Sequence, residues 1–177
     1  MATLDVALLI LRIGVGLIFA VHGAQKLFGV WSGPGFTGWT AAMDHMGYRP
    51  AGLFAAVSAV AEFGGGLLLA VGLFTPLAAF VLVAQSVVII GAAHWRSGFF
   101  NKNNGYEFPL ALTTGVVAIL FAGPGAWSID AALGLSLAPA LTVALFVIGI
   151  AGGLATLAVP VLTAHRPSPQ DGAPQTR

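Results

Sequence analysis

Long uncharged apolar runs constrain this chain more than any other feature. About 20 apolar residues at ~1.5 Å rise each cross a bilayer. Such stretches recur at 4–28, 51–73, 76–95 and 139–163, with a shorter one at 109–122 that gains length if its helix begins near Gly105. Only 7 Lys and Arg and 6 Asp and Glu are present, against 58% hydrophobic residues. The expected fold is all-α, a transmembrane bundle of about four or five spans forming one domain over 1–164, with no soluble insert long enough to fold alone. Pro76, Pro109 and Pro139 fall near expected helix starts, and Gly72, Gly123 and Gly125 near expected stops. The polar, Pro-rich segment 165–177 reads as a disordered cytoplasmic tail.

Composition also narrows function. A net charge of +1 with scattered basic residues gives no footprint for nucleic acid. Zero cysteines excludes thiolate metal sites, iron–sulfur clusters and a CxxC relay. No motif for haem or flavin is present, so no intrinsic cofactor is expected, and any redox role needs a bound ligand or a partner. The chain is expected to be at most a non-catalytic subunit of an oxidoreductase. Arg12 interrupts the first apolar run, and the N-terminus lacks a basic start, so that run is expected to be retained as a helix.

Lys26, Arg49, Arg96, Lys102, Arg166 and Arg177 fall on one side of a five-span topology. The positive-inside rule places that side in the cytoplasm and the N-terminus outside. Trp31, Trp39, Trp95 and Trp127 fall at or beyond helix ends, as an aromatic belt requires. The segment Trp39 to Gly47 reads as a short interfacial helix with Trp39, Met43 and Met46 toward lipid.

Arg12 and Glu62 are the charges that lie well inside expected spans. With Phe28 and Ala51 taken as level helix ends, they lie about 24 Å and 16 Å deep, close enough for two long side chains to meet. The expectation is an intramembrane pair, serving either as a structural clamp or as a proton or solute path. His22 and Lys26 are spaced i to i+4 and share a helix face with Phe19 and Arg12. With His94, Arg96 and Glu107 they gather at the cytoplasmic end. His22, Lys26, His94 and Glu107 therefore form a candidate ligand pocket, whose alternative reading is a set of snorkelling interfacial anchors. No metal-ligand spacing connects His22 to His94, and no metal is expected. Gln85, Ser58, Thr113 and Thr114 suit hydrogen bonds between helices. Gly64, Gly65 and Gly66 suit close packing inside the bundle, while Gly149 and Gly153 pack either there or against a second copy in a homo-oligomer.

The stretches LRIGVGLIFAVHGAQKLFG, AEFGGGLLLAVGLFTPLAA, HWRSGFFNKNNGYEFPLAL and FAGPGAWSID together resemble the DoxX family of small bacterial and archaeal membrane proteins. The resemblance runs from about Leu8 to Asp130. It rests on Arg12, His22, Gly23, Lys26, Glu62 and Gly65 in the first half and on His94, Gly98, Phe99, Gly105 and Glu107 in the second. It implies a four-helix transmembrane bundle in the cell membrane, to which the span after Pro139 would be an addition. It also implies a link to quinone or sulfur chemistry, since the family takes its name from a subunit of an archaeal quinone-linked oxidoreductase acting on thiosulfate. A mycobacterial relative is similar to a membrane anchor for a redox-defence assembly involving superoxide dismutase and a sulfurtransferase, so soluble redox enzymes are the implied partners. The alternatives are a small-solute transporter or channel using Arg12 and Glu62, and a scaffold without chemistry.

Overall fold

The computed structural model describes residues 2–164, and the expected disordered tail lies outside them. Among these residues the fold is entirely helical. Four helical stretches are long and apolar enough to span a membrane: α1 (Ala2–Phe28), α3 (Ala51–Val71), the continuous run Thr75–Ser97 that begins as α4 (Thr75–Val88), and α7 (Pro139–Ala164). Helix α5 (Glu107–Ala122) is the short apolar one, and at 16 residues it covers about 24 Å of rise. A short α2 (Gly35–His45) links α1 to α3, and a single turn, α6 (Ile129–Ala132), precedes α7. These helices begin and end within a few residues of the expected apolar stretches.

The breaks have local causes. Gly72 ends α3 in the left-handed conformation at φ 71°, where its N–H reaches back to Leu68 and Leu69. Pro76 sits in the first turn of α4, where its missing N–H costs nothing. Beyond Val88, α4 widens into a π-helical segment, Ile89–His94, and then tightens into a 3₁₀ turn, Trp95–Ser97.

Helices α1 and α3 run antiparallel in close contact, and glycines set their offset. A Cβ at Gly16 would lie 2.6 Å from the Gly66 carbonyl oxygen and 2.7 Å from the Ala70 nitrogen. One at Gly66 would lie 2.5 Å from the Ala20 nitrogen, and one at Gly23 would collide with the backbone of Phe63. Residue 16 therefore faces 66 and 70, and residue 23 faces 63. On the other face of α3, Gly65 packs on Leu82 of α4, so Gly66 and Gly65 serve the two neighbours, whereas Gly64, expected in the same seam, meets no neighbouring helix.

The core joins Val15 and Phe19 of α1, Leu69 of α3, Leu82 and Val83 of α4, and Val116 and Ile119 of α5. Helix α7 covers one side of it. Cβ atoms at Gly149 and Gly153 would press on Phe80, Val83, Ala84 and Val87, so the GxxxG of the last helix packs on α4 of its own chain. The rest of α7 is largely exposed, with Leu141, Val147, Leu154 and Leu162 facing outward as lipid-contacting residues should.

The interfacial helix departs from expectation. Trp39, Met43 and Met46 turn inward rather than toward lipid: Met43 is buried and all three pack around Tyr48, Phe54, Ala55 and Val88. Their spacing makes one apolar stripe, and the bundle end offers it more apolar area than a headgroup layer would. Trp31, Trp95 and Trp127 remain exposed, as the aromatic belt requires.

Candidate functional site

Two clusters of polar groups occupy opposite ends of the bundle. The first gathers around Arg12, only 2% exposed. Its Nε donates to the Ala70 carbonyl (3.2 Å), one terminal nitrogen to that of Trp127 (2.7 Å) and the other to that of Pro124. Asp130 supplies a nearby opposite charge. The Asp130 carboxylate accepts from Phe74 N (2.7 Å) and Thr75 N (2.8 Å), which caps α4 where Phe74 stands at φ 48°. Asp5 accepts from Ala126 N (2.9 Å), and Ser128 caps α6 through Ala131 N (3.1 Å). This end ties the loop 123–130 to α1, α3 and α4.

The expected Arg12–Glu62 pair does not form. The glycine contacts slide α3 relative to α1 so that Arg12 reaches Ala70, eight residues past Glu62 and about 12 Å farther along the axis. Phe28 and Ala51 are not level, and this offset defeats the depth estimate. Glu62 pairs instead with Lys26, the residue one helical turn beyond His22.

The second cluster surrounds a cavity of about 400 Å³. Lys26 donates to Glu62 Oε1, and its ammonium also lies 4.2 Å from the centre of the Trp39 ring. Gln85 Nε2 donates to Glu62 Oε1 (2.7 Å) and to Ser58 Oγ (2.8 Å), in keeping with the interhelical role expected of both. Thr113 and Thr114, by contrast, turn back to the carbonyls of Pro109 and Leu110 in their own helix. Phe19, His22, Trp39, Met43, Tyr48, Ser86 and Leu112 line the cavity beside this network. Its open sides are marked by exposed Ala92, Ala93, Asn101 and Asn104, and by His22 against Phe108, whose rings lie 6.4 Å apart.

Several buried polar atoms here have no hydrogen-bond partner among the described residues: Trp39 Nε1, Tyr48 OH, Glu62 Oε2 and Ser86 Oγ. Tyr48, Glu62 and Ser86 are each 1% exposed. Such groups ordinarily find a partner when buried. Tyr48 lies outside the spans, and its burial pushes the phenol above its ordinary pKa.

The π segment brings His94 to this cavity. On an unbroken α-helix, nine residues beyond Gln85 is about 2.5 turns, which would put His94 on the opposite face. The wider π turn holds back the rotation, a device frequent at functional sites. His94 Nδ1–H donates to the Asn104 carbonyl (2.8 Å). The loop that carries Asn104 is pinned by Tyr106 N to Gly98 O (3.0 Å), by Glu107 N to Phe99 O (2.9 Å) and by Trp95 stacked on Tyr106. Gly105 fits there because a Cβ would lie 2.5 Å from the Phe99 carbonyl.

Of the four residues expected in the pocket, His22, Lys26 and His94 line the cavity. Glu107 does not; its Oε2 accepts from Asn101 N (2.9 Å) and so holds a residue of the rim. Of the two residues expected as an intramembrane pair, Glu62 lines the cavity and Arg12 lies at the other end of the bundle. Trp39, Met43, Tyr48 and Ser86 were not expected as lining. The Trp39–Met43 spacing was legible as an amphipathic face, but its inward direction was not.

Comparison with known proteins agrees with this architecture. The DoxX family matches residues 7–95, which span α1 through the π segment. The chain is 30% identical to "Uncharacterized membrane protein Rv3486" of Mycobacterium tuberculosis over 68% of its own length and 77% of that protein. It is 30% identical to "Inner membrane protein YqjF" of Escherichia coli, over 71% of this chain and 91% of the relative. It is 31% identical to "Inner membrane protein YphA" of the same organism, over 73% and 91%. No solved structure matches it. With a family match over half its length and a bundle of apolar spans, this chain is a multi-pass membrane protein that belongs to the DoxX family.

Proposed function

We propose that this protein is a membrane subunit whose cavity receives the head group of a quinone and thereby links the bilayer to soluble redox enzymes of sulfur or oxidative-stress chemistry. The observation that carries the reading is the combination of an apolar, aromatic-lined cavity of about 400 Å³ with buried polar side chains lacking partners. That volume lies in the range of small-molecule sites, about 300–1,000 Å³. A quinone oxygen needs donors: Trp39 Nε1–H and the hydroxyls of Tyr48 and Ser86 are of that kind, and His22 stands at a side opening beside Phe108. The ring would lie among Phe19, Trp39, Phe108 and Leu112. When bound, a quinone supplies a carrier for two electrons and two protons; substrate chemistry belongs to the partner enzyme.

The cavity end faces the cytoplasm in this reading. Lys26, Arg49, Arg96 and Lys102 all belong to it, whereas the Arg12 charge at the far end is buried and bonded to carbonyls. A membrane anchor for cytoplasmic enzymes would use this face. The transport alternative depended on Arg12 and Glu62 forming one path, and their separation takes away its support.

Extraction of the protein with its native lipid, followed by mass spectrometry of what copurifies, tests the proposal. A quinone at stoichiometric level, lost in a folded His22→Ala variant, is the expected result. A preparation that retains native lipid and holds no quinone would overturn it.

A further inference from the structure

We infer that the cavity is built for the hydroquinone form of its ligand, with Glu62 as the residue that distinguishes that form from the quinone. The inference rests on the quinone reading above and goes beyond it by assigning the redox state that binds tightest.

The argument turns on which polar groups can donate. Glu62 Oε1 accepts from Lys26 and from Gln85, and Oε2 has no partner among the described residues. A carboxylate paired with an ammonium is acceptor-only, so the unused oxygen calls for a donor. Lys26 does not supply a second one: its ammonium is engaged by Oε1 and lies over the Trp39 ring. The hydroxyls of Tyr48 and Ser86 can turn either way, while Trp39 Nε1 can only donate. His94 adds a second acceptor at the rim. The Asn104 carbonyl can only accept, so Nδ1 of His94 carries the proton and Nε2 of the neutral ring keeps its lone pair.

A quinone brings acceptors alone. It would satisfy Trp39 and the hydroxyls, yet leave Glu62 Oε2 buried without a donor. A hydroquinone oxygen accepts from the same groups, and its O–H also donates to the carboxylate, making a charge-assisted bond of the stronger kind. Leaving a buried charged acceptor unpaired corresponds to a loss of about tenfold or more in affinity.

The test uses the full-length protein in lipid nanodiscs under anaerobic conditions. A short-tailed benzoquinone is titrated by calorimetry in its oxidised form and, in parallel, in the form kept reduced by dithionite. The wild type is expected to bind the reduced form about tenfold more tightly. Glu62→Gln replaces the second oxygen with an amide N–H₂ while keeping an oxygen for Lys26, and it should abolish or reverse that ratio. Trp39→Phe removes a donor that both forms use, and should weaken both while preserving the ratio. Equal affinities, or tighter binding of the quinone, would overturn the inference and leave the quinone site standing. Full preference retained by Glu62→Gln would remove that residue from the discrimination. Binding of neither form would overturn the underlying reading as well. Should Glu62→Gln fail to fold, the wild-type and Trp39→Phe ratios still decide the preference.

Discussion

The two ends of this bundle use buried charge in opposite ways. At the far end, Arg12 and Asp130 spend their hydrogen-bonding capacity on backbone groups of α3, the start of α4 and the loop 123–130, and Thr75 Oγ1 is the buried side-chain atom left over among the described residues. At the cavity end, Lys26 and Glu62 also pair, yet the walls around them hold Trp39, Tyr48, Glu62 and Ser86 with polar atoms unmatched. Satisfied charge inside a membrane protein fixes its shape. Unsatisfied polarity beside a cavity costs stability unless something else completes it. In the proposed reading one end serves structure and the other recognition.

The sharpest way to break that contrast is Arg12→Ala. It strands three carbonyls and the nearby Asp130 charge, and should cost about 3–5 kcal/mol, seen as loss of monodisperse protein in detergent and a collapsed melting temperature. Arg12→Lys should rescue little, because a point ammonium cannot replace the planar fork that reaches Trp127, Pro124 and Ala70 together. Asp130→Ala removes the cap on α4 and should cost about 2 kcal/mol in the same melting assay. At the other end, Tyr48→Phe and Ser86→Ala delete atoms without partners. Both should leave stability unchanged or raise it by up to about 1 kcal/mol, while weakening quinone binding measured by calorimetry. A large loss of stability in either would erase the distinction between the ends.

The smallest effect is alkaline. Burial raises the Tyr48 phenol in the folded protein above its ordinary 10.0, so the unfolded chain ionises first as pH climbs. The resulting contribution to stability is complete below pH 10.0 and is lost as pH rises through the folded value. Stability profiles above pH 10.0 should therefore slope downward more steeply for the wild type than for Tyr48→Phe.

The spans, their proline starts and their glycine stops were legible in the sequence because each depends on hydropathy and local backbone chemistry. So was the gathering of His22, Lys26 and His94 at one end, which follows from chain direction alone. The partner of Arg12 was not legible. It depends on how far α3 slides along α1, and that distance is set by the contacts of Gly16, Gly23 and Gly66, which carry no directional signal in a Gly-rich chain. The inward turn of Trp39 and Met43 was hidden for a related reason. An amphipathic helix at a membrane surface presents the same stripe whether it covers lipid or protein. Nor does any residue pattern announce the π segment after Val88, which turns His94 onto the cavity side of its helix.

Among the described residues, the two cations inside the bundle each have an anion close by, Lys26 on Glu62 and Arg12 near Asp130. A transmembrane voltage works on net charge, at about 2.3 kcal/mol per elementary charge for each 100 mV. Each pair is neutral in itself and gives that field no net charge to displace, so energising the membrane is expected to leave the Lys26–Glu62 wall of the cavity in place. A neutral ligand would then enter it with an affinity indifferent to whether the cell is polarised.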